Sequence, residues 1–230
     1  MPTIIVDAIL FDMDGTLIDS TPGVTVAWDA FGRTYGFSGA EAAHAAHGRR
    51  LADTLGEWCK ISGQKLLDEI VRFEEEVIKG GPIVLPGVLE LLDSINSGSS
   101  ESNPGWTIVT SATNVYTPQA LSRCRLPIPS TGYVTSDDVE RGKPYPDPYL
   151  AGAKKIGVDP TKCLVIEDAP SGLKAGRAAG SKVLAVCTSH TRDGIVTSDA
   201  DPDFIIKDLT RLSARWENGK LVLDIDDSLW

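Results

Sequence analysis

The sequence predicts an α/β fold: a Rossmann-like, doubly wound parallel sheet core with an inserted α-helical cap domain and a C-terminal β-hairpin. Short apolar runs rich in β-forming residues alternate along the chain with segments of helical periodicity, a pattern typical of a parallel sheet covered by helices on both faces. The strand pattern disappears between residues 18 and 85. Near the end of the chain, Asn218-Gly219 separates two β-forming segments, which indicates a tight hairpin.

The predicted core strands share one pattern, an apolar run that ends in polar residues. Residues 4–12 form the first run, and similar runs follow at 106–111, 163–168 and 182–186. Ligands of open parallel sheets bind at the carboxyl ends of the strands. We therefore expect the polar residues at these ends to form the functional site.

The segment without strands is predicted to form a separate helical domain. Its apolar residues recur at helical spacing over 24–35 and 67–78. It follows the first strand directly and ends where the sheet pattern resumes, as an insertion would. We therefore divide the chain into an α/β core of residues 1–17 and 86–230 and a helical cap of residues 18–85.

Composition and charge argue against several classes of function. The formal net charge of −10 disfavours a nucleic-acid partner, because such binding depends on many lysine and arginine contacts to phosphates. No apolar run approaches the roughly 18 residues that a membrane span needs, and the N-terminal residues lack the basic region of a secretory signal. The four cysteines are scattered, unlike the ligands of a zinc site. We expect a cytoplasmic monomer without membrane association.

The run Asp12-Met13-Asp14-Gly15-Thr16 after the first predicted strand indicates phosphoryl-transfer chemistry. Residues two apart on a strand share a side, so Asp12 and Asp14 are expected to converge. Gly15 allows a tight turn, and Thr16 offers a hydroxyl and an N–H group to an anion. Carboxylates this close repel each other unless a cation or a shared proton intervenes. A simple Asp-Gly turn is the alternative interpretation.

Four segments, in order, resemble the motifs of the haloacid dehalogenase superfamily of phosphohydrolases. They are the run from Asp12 to Thr16, Thr110-Ser111, Gly142-Lys143-Pro144 and Glu167-Asp168. The resemblance covers nearly the whole chain, and the helical insert is similar to the cap of many members. Within the superfamily the chain looks most like the fungal glycerol-phosphatase and 2-deoxyglucose-6-phosphate phosphatase group. The residues that carry this finer likeness include His47-Gly48, Arg50, the surroundings of Lys143 and Glu167, and the terminal Trp230.

The resemblance implies the catalytic roles. Asp12 would be the nucleophile that forms an aspartyl-phosphate. Asp14 would be the general acid and base, with a pKa raised by its crowded neighbours. Lys143 would offset the charge of the carboxylates and of the transferring phosphoryl group. Ser111 would grip a phosphate oxygen, although a capping role at the next helix is the alternative.

Substrate contacts are expected from both domains, since the core grips the phosphoryl group and the cap contacts the remainder of a small phosphorylated metabolite. The expected contacts are Thr16, Ser111, the N–H group of Ala112, Lys143, His47 and Arg50. For the two cap residues, a partly buried histidine and a solvated arginine are the alternatives. His44 and His190 are assigned no role.

The resemblance also implies a Mg²⁺ cofactor. Asp12 and Asp168 would bind it through carboxylates, Asp14 through its backbone carbonyl, and Glu167 directly or through water, because Mg²⁺ prefers hard oxygen ligands. Without the resemblance, Glu167-Asp168 could equally be acidic residues at a helix N-terminus. The implied enzyme is a phosphoric monoester hydrolase that acts on a sugar or polyol phosphate, of glycerol-phosphate or deoxy sugar-phosphate type.

Two other functions remain open. A sugar-phosphate mutase would share the core chemistry and return the phosphoryl group to the substrate. In the β-phosphoglucomutase pattern a histidine falls at Val24 and an arginine near Leu51, so these departures favour hydrolysis. A non-catalytic scaffold of the same fold would be expected to lose at least one of the principal motif residues, and all are present.

Overall fold

The computed structural model describes residues 1–228. Trp230, one of the residues that carry the predicted likeness to the fungal phosphatases, lies outside this range. Its strands are β1 (Thr3–Val6), β2 (Ala8–Phe11), β3 (Ile18–Asp19), β4 (Ile83–Val84), β5 (Trp106–Ile108), β6 (Cys163–Glu167), β7 (Lys182–Val186), β8 (Phe204–Ile206), β9 (Leu212–Glu217) and β10 (Lys220–Ile225). Its α-helices are α1 (Thr21–Tyr35), α2 (Gly39–Ala46), α3 (Leu51–Cys59), α4 (Gly63–Lys79), α5 (Val88–Asn96), α6 (Tyr116–Cys124), α7 (Asp147–Lys155), α8 (Pro170–Ala178) and α9 (Arg192–Thr197). Within residues 1–228, no helix is both long and apolar enough to cross a lipid bilayer.

The central sheet is parallel, with the strand order β5-β2-β6-β7-β8. Alternate residues of β2 pack into two separate apolar clusters. Ile9 and Phe11 belong to the cluster that contains Trp106, whereas Leu10 belongs to the cluster that contains Tyr149 of α7. Because successive side chains of a strand point to opposite faces, the sheet is buried on both sides. This arrangement confirms the predicted α/β fold class.

The first predicted strand, residues 4–12, is instead two strands that belong to different sheets. β1 pairs antiparallel with β10, and β2 pairs parallel with β5 and β6. The break falls at Asp7, whose N–H group donates to the carbonyl of Lys162 and whose carboxylate accepts from Lys220 Nζ at 2.5 Å. A charged side chain with an ionic partner at the surface interrupts the apolar run at this point.

The predicted C-terminal hairpin is confirmed. β9 and β10 pair antiparallel, and Asn218 and Gly219 between them have φ values of 51° and 75°, which a tight type I′ hairpin turn requires. β1 adds to β10, so the hairpin becomes a three-stranded sheet. Trp216 Nε1 of β9 donates to the carbonyl of Ile95 in α5 at 2.8 Å, which fastens this sheet to the core.

The helices α1 to α4 lie between two short strands that pair with each other. β3 and β4 are antiparallel, with Ile18 opposite Val84, so the chain leaves and returns at one place. Trp28 and Phe31 of α1 contact Phe73 of α4 with ring centroids 5.0 and 5.3 Å apart. These aromatic contacts connect the first and last helices of the segment, and their residues belong to the same apolar cluster as Phe11 and Trp106 of the sheet.

Candidate active site

The carboxyl ends of β5, β2 and β6 bring three of the sequence motifs to one edge of the sheet. Asp12 follows β2, and its N–H group donates to the carbonyl of Ile166 in β6 at 3.0 Å. Ser111 follows β5, whereas Glu167 is the last residue of β6. Adjacent parallel strands end side by side, so polar groups far apart in sequence meet here.

A tight turn after Asp12 packs directly against Asp168. Gly15 has φ +89°, and a Cβ atom added there would lie 2.0 Å from Asp168 Oδ2, so only glycine fits. Thr16 is fully buried, and its hydroxyl donates to Asp168 Oδ1 at 3.4 Å. Its side chain was expected to contact substrate; in the structure its hydroxyl faces Asp168, and the substrate contact stays a prediction.

Lys143 lies at the centre of the buried charges. Its Nζ donates to Asp12 Oδ1 at 2.5 Å, to Glu167 Oε1 at 2.7 Å and to the carbonyl of Val109 at 3.1 Å. Burial alone would lower the pKa of Lys143, but the charges of Asp12 and Glu167 raise it above its usual value. Burial, reinforced by the charge of Glu167, raises the pKa of Asp12 well above its usual value, against the opposing effect of Lys143.

Three buried carboxylates form an acidic cluster around this lysine. Asp12, Glu167 and Asp168 each offer one oxygen, and these atoms lie within 4.8 Å of one another. Glu167 is tightly held, since Oε1 also accepts from Tyr149 at 3.0 Å and Oε2 accepts the N–H groups of Asp168 and Ala169 at 3.0 Å. One ammonium group does not balance three carboxylates. The hard oxygen donors and the excess negative charge fit a divalent cation such as Mg²⁺.

Asp168 also contacts the helical segment. His47 Nε2 lies 2.8 Å from Asp168 Oδ2, and the Ser189 hydroxyl donates to the same oxygen. Burial would lower the pKa of His47, but Asp168 raises it to about 8. The rings of His190 and His47 pack edge to face, with their centroids 4.9 Å apart. His47, predicted to contact substrate, therefore also reaches a predicted metal ligand.

Asp14 has a separate environment from Asp12. The hydroxyl of Tyr116 donates to Asp14 Oδ1 at 2.8 Å. Burial raises the pKa of Asp14, and the hydroxyls of Ser20 and Tyr116 offset part of that effect. The pKa thus moves in the direction that was predicted for a general acid. The larger cause, however, is loss of solvent, and crowding by other carboxylates contributes less.

The loop after β5 connects the core to the helical segment. Ser111 Oγ donates to the carbonyl of Gly48 at 3.1 Å, and the Ala112 N–H group donates to Thr110 Oγ1 at 3.0 Å. α6 begins only at Tyr116, so Ser111 does not cap that helix. Both residues that were expected to bind phosphate therefore have protein partners, although both line the cavity described next.

A cavity of about 280 Å³ opens between the sheet edge and the helices. Its polar floor and its largely apolar walls come from different parts of the chain. The lining groups that matter here are Asp12, Asp14, Ser111, Ala112 and Tyr116 from the core side and Val24, Trp28, His47, Leu51, Phe73 and Glu74 from α1 to α4 and the loop between α2 and α3. Such a concave site with a few convergent polar groups is the usual form of a small-molecule site.

Arg50 does not reach this cavity. Its two terminal nitrogens donate to the carbonyls of Val139 at 2.7 Å and Glu140 at 3.0 Å. These carbonyls belong to the loop that carries Lys143. Arg50 thus connects the start of α3 to the core, and its contact with substrate stays a prediction.

Sequence reasoning missed several residues of the site. Tyr116 meets Asp14, and Glu74 of α4 accepts from Thr113 Oγ1 at 2.6 Å and from its N–H group at 3.2 Å. Nothing in the local pattern distinguishes these two from ordinary helical residues. Ser189 and His190, in contrast, follow β7, and a search for polar residues after every core strand would have found them.

The comparisons with known proteins agree with this geometry. The haloacid dehalogenase-like hydrolase family matches residues 6–180. The chain belongs to this family. The hexitol phosphatase A of Escherichia coli K12 is 39% identical over 185 residues, which cover 77% of this chain and 81% of that protein. These matches confirm the predicted resemblance and the prediction of a hydrolase.

Other relatives in the family lead to the same chemistry. The glycerol-1-phosphate phosphohydrolase 1 of Saccharomyces cerevisiae is 30% identical, with coverage of 85% of this chain and 80% of that protein. The 2-deoxyglucose-6-phosphate phosphatase 2 of the same yeast is 28% identical over the full length of this chain and 99% of its own. The predicted likeness to these two fungal groups is thereby confirmed, and their names support the predicted class of phosphoric monoester hydrolase.

Two solved structures share the fold. A hydrolase from Pseudomonas syringae has a TM-score of 0.75 and 27% identity over 88% of this chain and 93% of its own. A protein of Bacteroides vulgatus, provisionally assigned as a beta-phosphoglucomutase, has a TM-score of 0.74 and 29% identity over 89% of this chain and 84% of its own. Proteins with hydrolase and mutase assignments therefore share this architecture.

Proposed function

We propose that this chain is a Mg²⁺-dependent phosphatase that hydrolyses a small sugar or polyol phosphate monoester through an aspartyl-phosphate on Asp12. The observation that carries the proposal is the position of the Asp12 carboxylate. It is buried, it accepts a hydrogen bond from Lys143 at 2.5 Å, it lies beside Glu167 and Asp168, and it still lines the cavity. A carboxylate held by a cation at the floor of a cavity suits attack on a phosphate ester.

The first step forms a covalent intermediate. A carboxylate oxygen of Asp12 attacks phosphorus, and the new P–O bond forms as the ester P–O bond breaks and its electron pair moves to the leaving oxygen. Asp14 donates its proton to that oxygen, so the product leaves as an alcohol. Lys143 offsets the negative charge of the Asp12 carboxylate and of the transferring phosphoryl group.

The second step restores the enzyme. A water molecule attacks the phosphorus of the aspartyl-phosphate while the ionised Asp14 takes the proton of that water. The acyl phosphate bond breaks, its electrons return to the Asp12 carboxylate, and inorganic phosphate leaves. Asp14 is protonated again, and burial moves its pKa upward, the direction that favours the protonated acid.

The acidic cluster would hold the metal ion. Asp12 and Asp168 supply carboxylate oxygens, Asp14 its backbone carbonyl, and Glu167 a direct or water-mediated contact. Bound Mg²⁺ supplies positive charge that lets the anionic ester approach the anionic nucleophile. Lys143 and the N–H groups around Glu167 keep these carboxylates in place.

The helical segment would act as the cap that selects the substrate. We propose residues 18–85 as the cap and residues 1–17 and 86–230 as the core; the β3–β4 pair and the aromatic contacts between α1 and α4 support this division. The cavity of about 280 Å³ limits the organic part of the substrate to a small molecule, and the named relatives act on hexitol, glycerol and deoxyglucose phosphates.

We also propose that the protein is a monomer and that it is cytoplasmic. The free thiols of its four cysteines suit a reducing compartment such as the cytoplasm.

A panel of sugar and polyol phosphates tests the function. Inorganic phosphate is measured with Mg²⁺ and after removal of divalent ions with EDTA, and sugar products are separated by chromatography. We expect Mg²⁺-dependent phosphate release from at least one member and none with the Asp12→Asn variant. No release from any ester would reject the phosphatase, and interconversion of sugar phosphate isomers without release would establish the mutase instead.

A further inference from the structure

We propose that Tyr116 is a positioning residue that fixes the orientation of the Asp14 carboxyl for proton transfer to the leaving group. This inference rests on the proposed phosphatase function and deepens it. Tyr116 is the first residue of α6 and lies 102 positions from Asp14 in sequence. Its side chain is 3% exposed, yet it lines the same cavity as Asp12 and Asp14.

The contact distinguishes the two oxygens of Asp14. The Tyr116 hydroxyl donates to Oδ1 at 2.8 Å, a normal O–H···O distance. An oxygen that already accepts a proton from a donor is a poor place for a second proton. When Asp14 is the acid, the contact therefore disfavours a proton on Oδ1. A carboxyl group that rotated freely would present the proton in many directions, and only some lead to transfer.

A tyrosine suits this position better than a lysine would. A cation hydrogen-bonded to Asp14 would favour the ionised carboxylate and oppose its role as an acid. Lys143 has this effect on Asp12, which must be ionised to act as a nucleophile. A neutral hydroxyl can donate to the carboxylate and to the carbonyl oxygen of the carboxylic acid alike. The Tyr116 contact therefore survives both proton transfers in the cycle. The two aspartates of one motif thus have partners matched to their different roles.

The packing of Tyr116 keeps the ring from moving. The ring belongs to the main apolar cluster of the core, and α6 continues from it through the buried Ala120 and Leu121. A rigid, buried side chain loses little conformational entropy when it makes a hydrogen bond. Tyr116→Phe removes only the hydroxyl and keeps this packing, so it isolates the contact with Asp14.

The leaving group provides the test. Cleavage of an alkyl phosphate requires that Asp14 protonate the alkoxide as the P–O bond breaks, whereas p-nitrophenolate leaves without a proton. The value of kcat/KM reports the steps through this cleavage. For Tyr116→Phe we expect kcat/KM to fall about tenfold or more with an alkyl phosphate, as for partial loss of general acid catalysis. With p-nitrophenyl phosphate we expect a change of about twofold or less.

Tyr35→Phe is the matched control. Tyr35 also donates to a carboxylate, Glu69 Oε1 at 2.7 Å, but Tyr35 lies at the end of α1 and does not line the cavity among the described residues. We expect both substrates to keep their wild-type kcat/KM in this variant. Circular dichroism and thermal melting establish that each variant is folded. If Tyr116→Phe does not fold, Tyr116→Leu carries the same comparison of the two substrates.

The outcomes separate this inference from the proposed function. An equal fall with both substrates would make Tyr116 a structural residue, and no change with either would make the contact irrelevant; each overturns the inference. Absence of phosphate release by the wild type would instead reject the phosphatase itself. In an Asp14→Asn background, Tyr116→Phe should cause no further loss with the alkyl ester, because the two residues act as one unit.

Discussion

At the scale of single residues, the site is defined by how each buried carboxylate is balanced. Lys143 donates to both Asp12 and Glu167. Asp168 contacts His47 and Ser189. The hydroxyls of Tyr116 and Ser20 are the hydrogen-bond partners of Asp14. Charged groups that leave water need such partners. These differences support the different roles proposed for Asp12 and Asp14.

Glu74 gives a pH-dependent prediction. Burial raises the pKa of Glu74 from its ordinary 4.5 to about 7, although two hydrogen bonds from Thr113 act in the opposite direction. A carboxyl whose pKa is raised on folding favours the folded state below pH 4.5. That contribution is lost as the pH rises through 7, and the loss is up to about 3 kcal/mol.

The Glu74→Gln variant removes this titration. We expect its free energy of unfolding to equal that of the wild type near pH 4 and to exceed it by about 1 to 3 kcal/mol near pH 8. Urea denaturation at the two pH values measures the difference. Glu75→Gln, at an exposed position of the same helix, is the control. A pH-independent difference between Glu74→Gln and the wild type would show that Glu74 does not titrate in this range.

At the scale of elements, the short connections at strand ends matter most. The loop from residue 139 to Lys143 is tied to the start of α3 by Arg50, through the carbonyls of Val139 and Glu140. A change at α3 can therefore alter the position of the lysine that holds Asp12. The hydrogen bond of Ser111 to the Gly48 carbonyl connects the neighbouring loop in the same way.

We expect Arg50→Ala to reduce kcat/KM for the best phosphate ester by about tenfold or more, because misplacement of a catalytic group is costly even when it is small. The melting temperature should fall by only a few degrees, since two hydrogen bonds are worth about 1 to 3 kcal/mol. Steady-state kinetics and thermal melting provide the two measurements. Arg33→Ala, on the exposed face of α1, should change neither. Wild-type kinetics in Arg50→Ala would remove Arg50 from any part in the site.

Particular elements show which parts of the fold could be predicted from the sequence. The central parallel sheet and the hairpin at Asn218-Gly219 were predictable, because apolar runs and tight turns are local signals. The division of residues 4–12 into β1 and β2 was not predicted, because Asp7 is a single polar residue within a long apolar run. The direction of Arg50 was missed for another reason, since only the approach of two distant segments determines it.

At the scale of the whole molecule, the site lies where the helical segment meets the sheet edge. Hydrogen bonds between the two parts surround the cavity, and they include His47 with Asp168, Ser111 with Gly48 and Glu74 with Thr113. The motif residues Asp12, Lys143, Glu167 and Asp168 could be predicted because the family chemistry fixes them. The partners from the helices could not, because the packing of two parts of the chain leaves no local pattern.

The central claim is that Asp12 accepts the phosphoryl group. The most direct measurement is an acid quench within the first turnover with a reactive ester, followed by mass spectrometry of the peptide that contains Asp12. We expect one added phosphoryl group on Asp12 in the wild type and none in the folded Asp12→Asn variant, which should also release no phosphate. An unmodified Asp12 peptide in the active wild type, or wild-type phosphate release by Asp12→Asn, would contradict it.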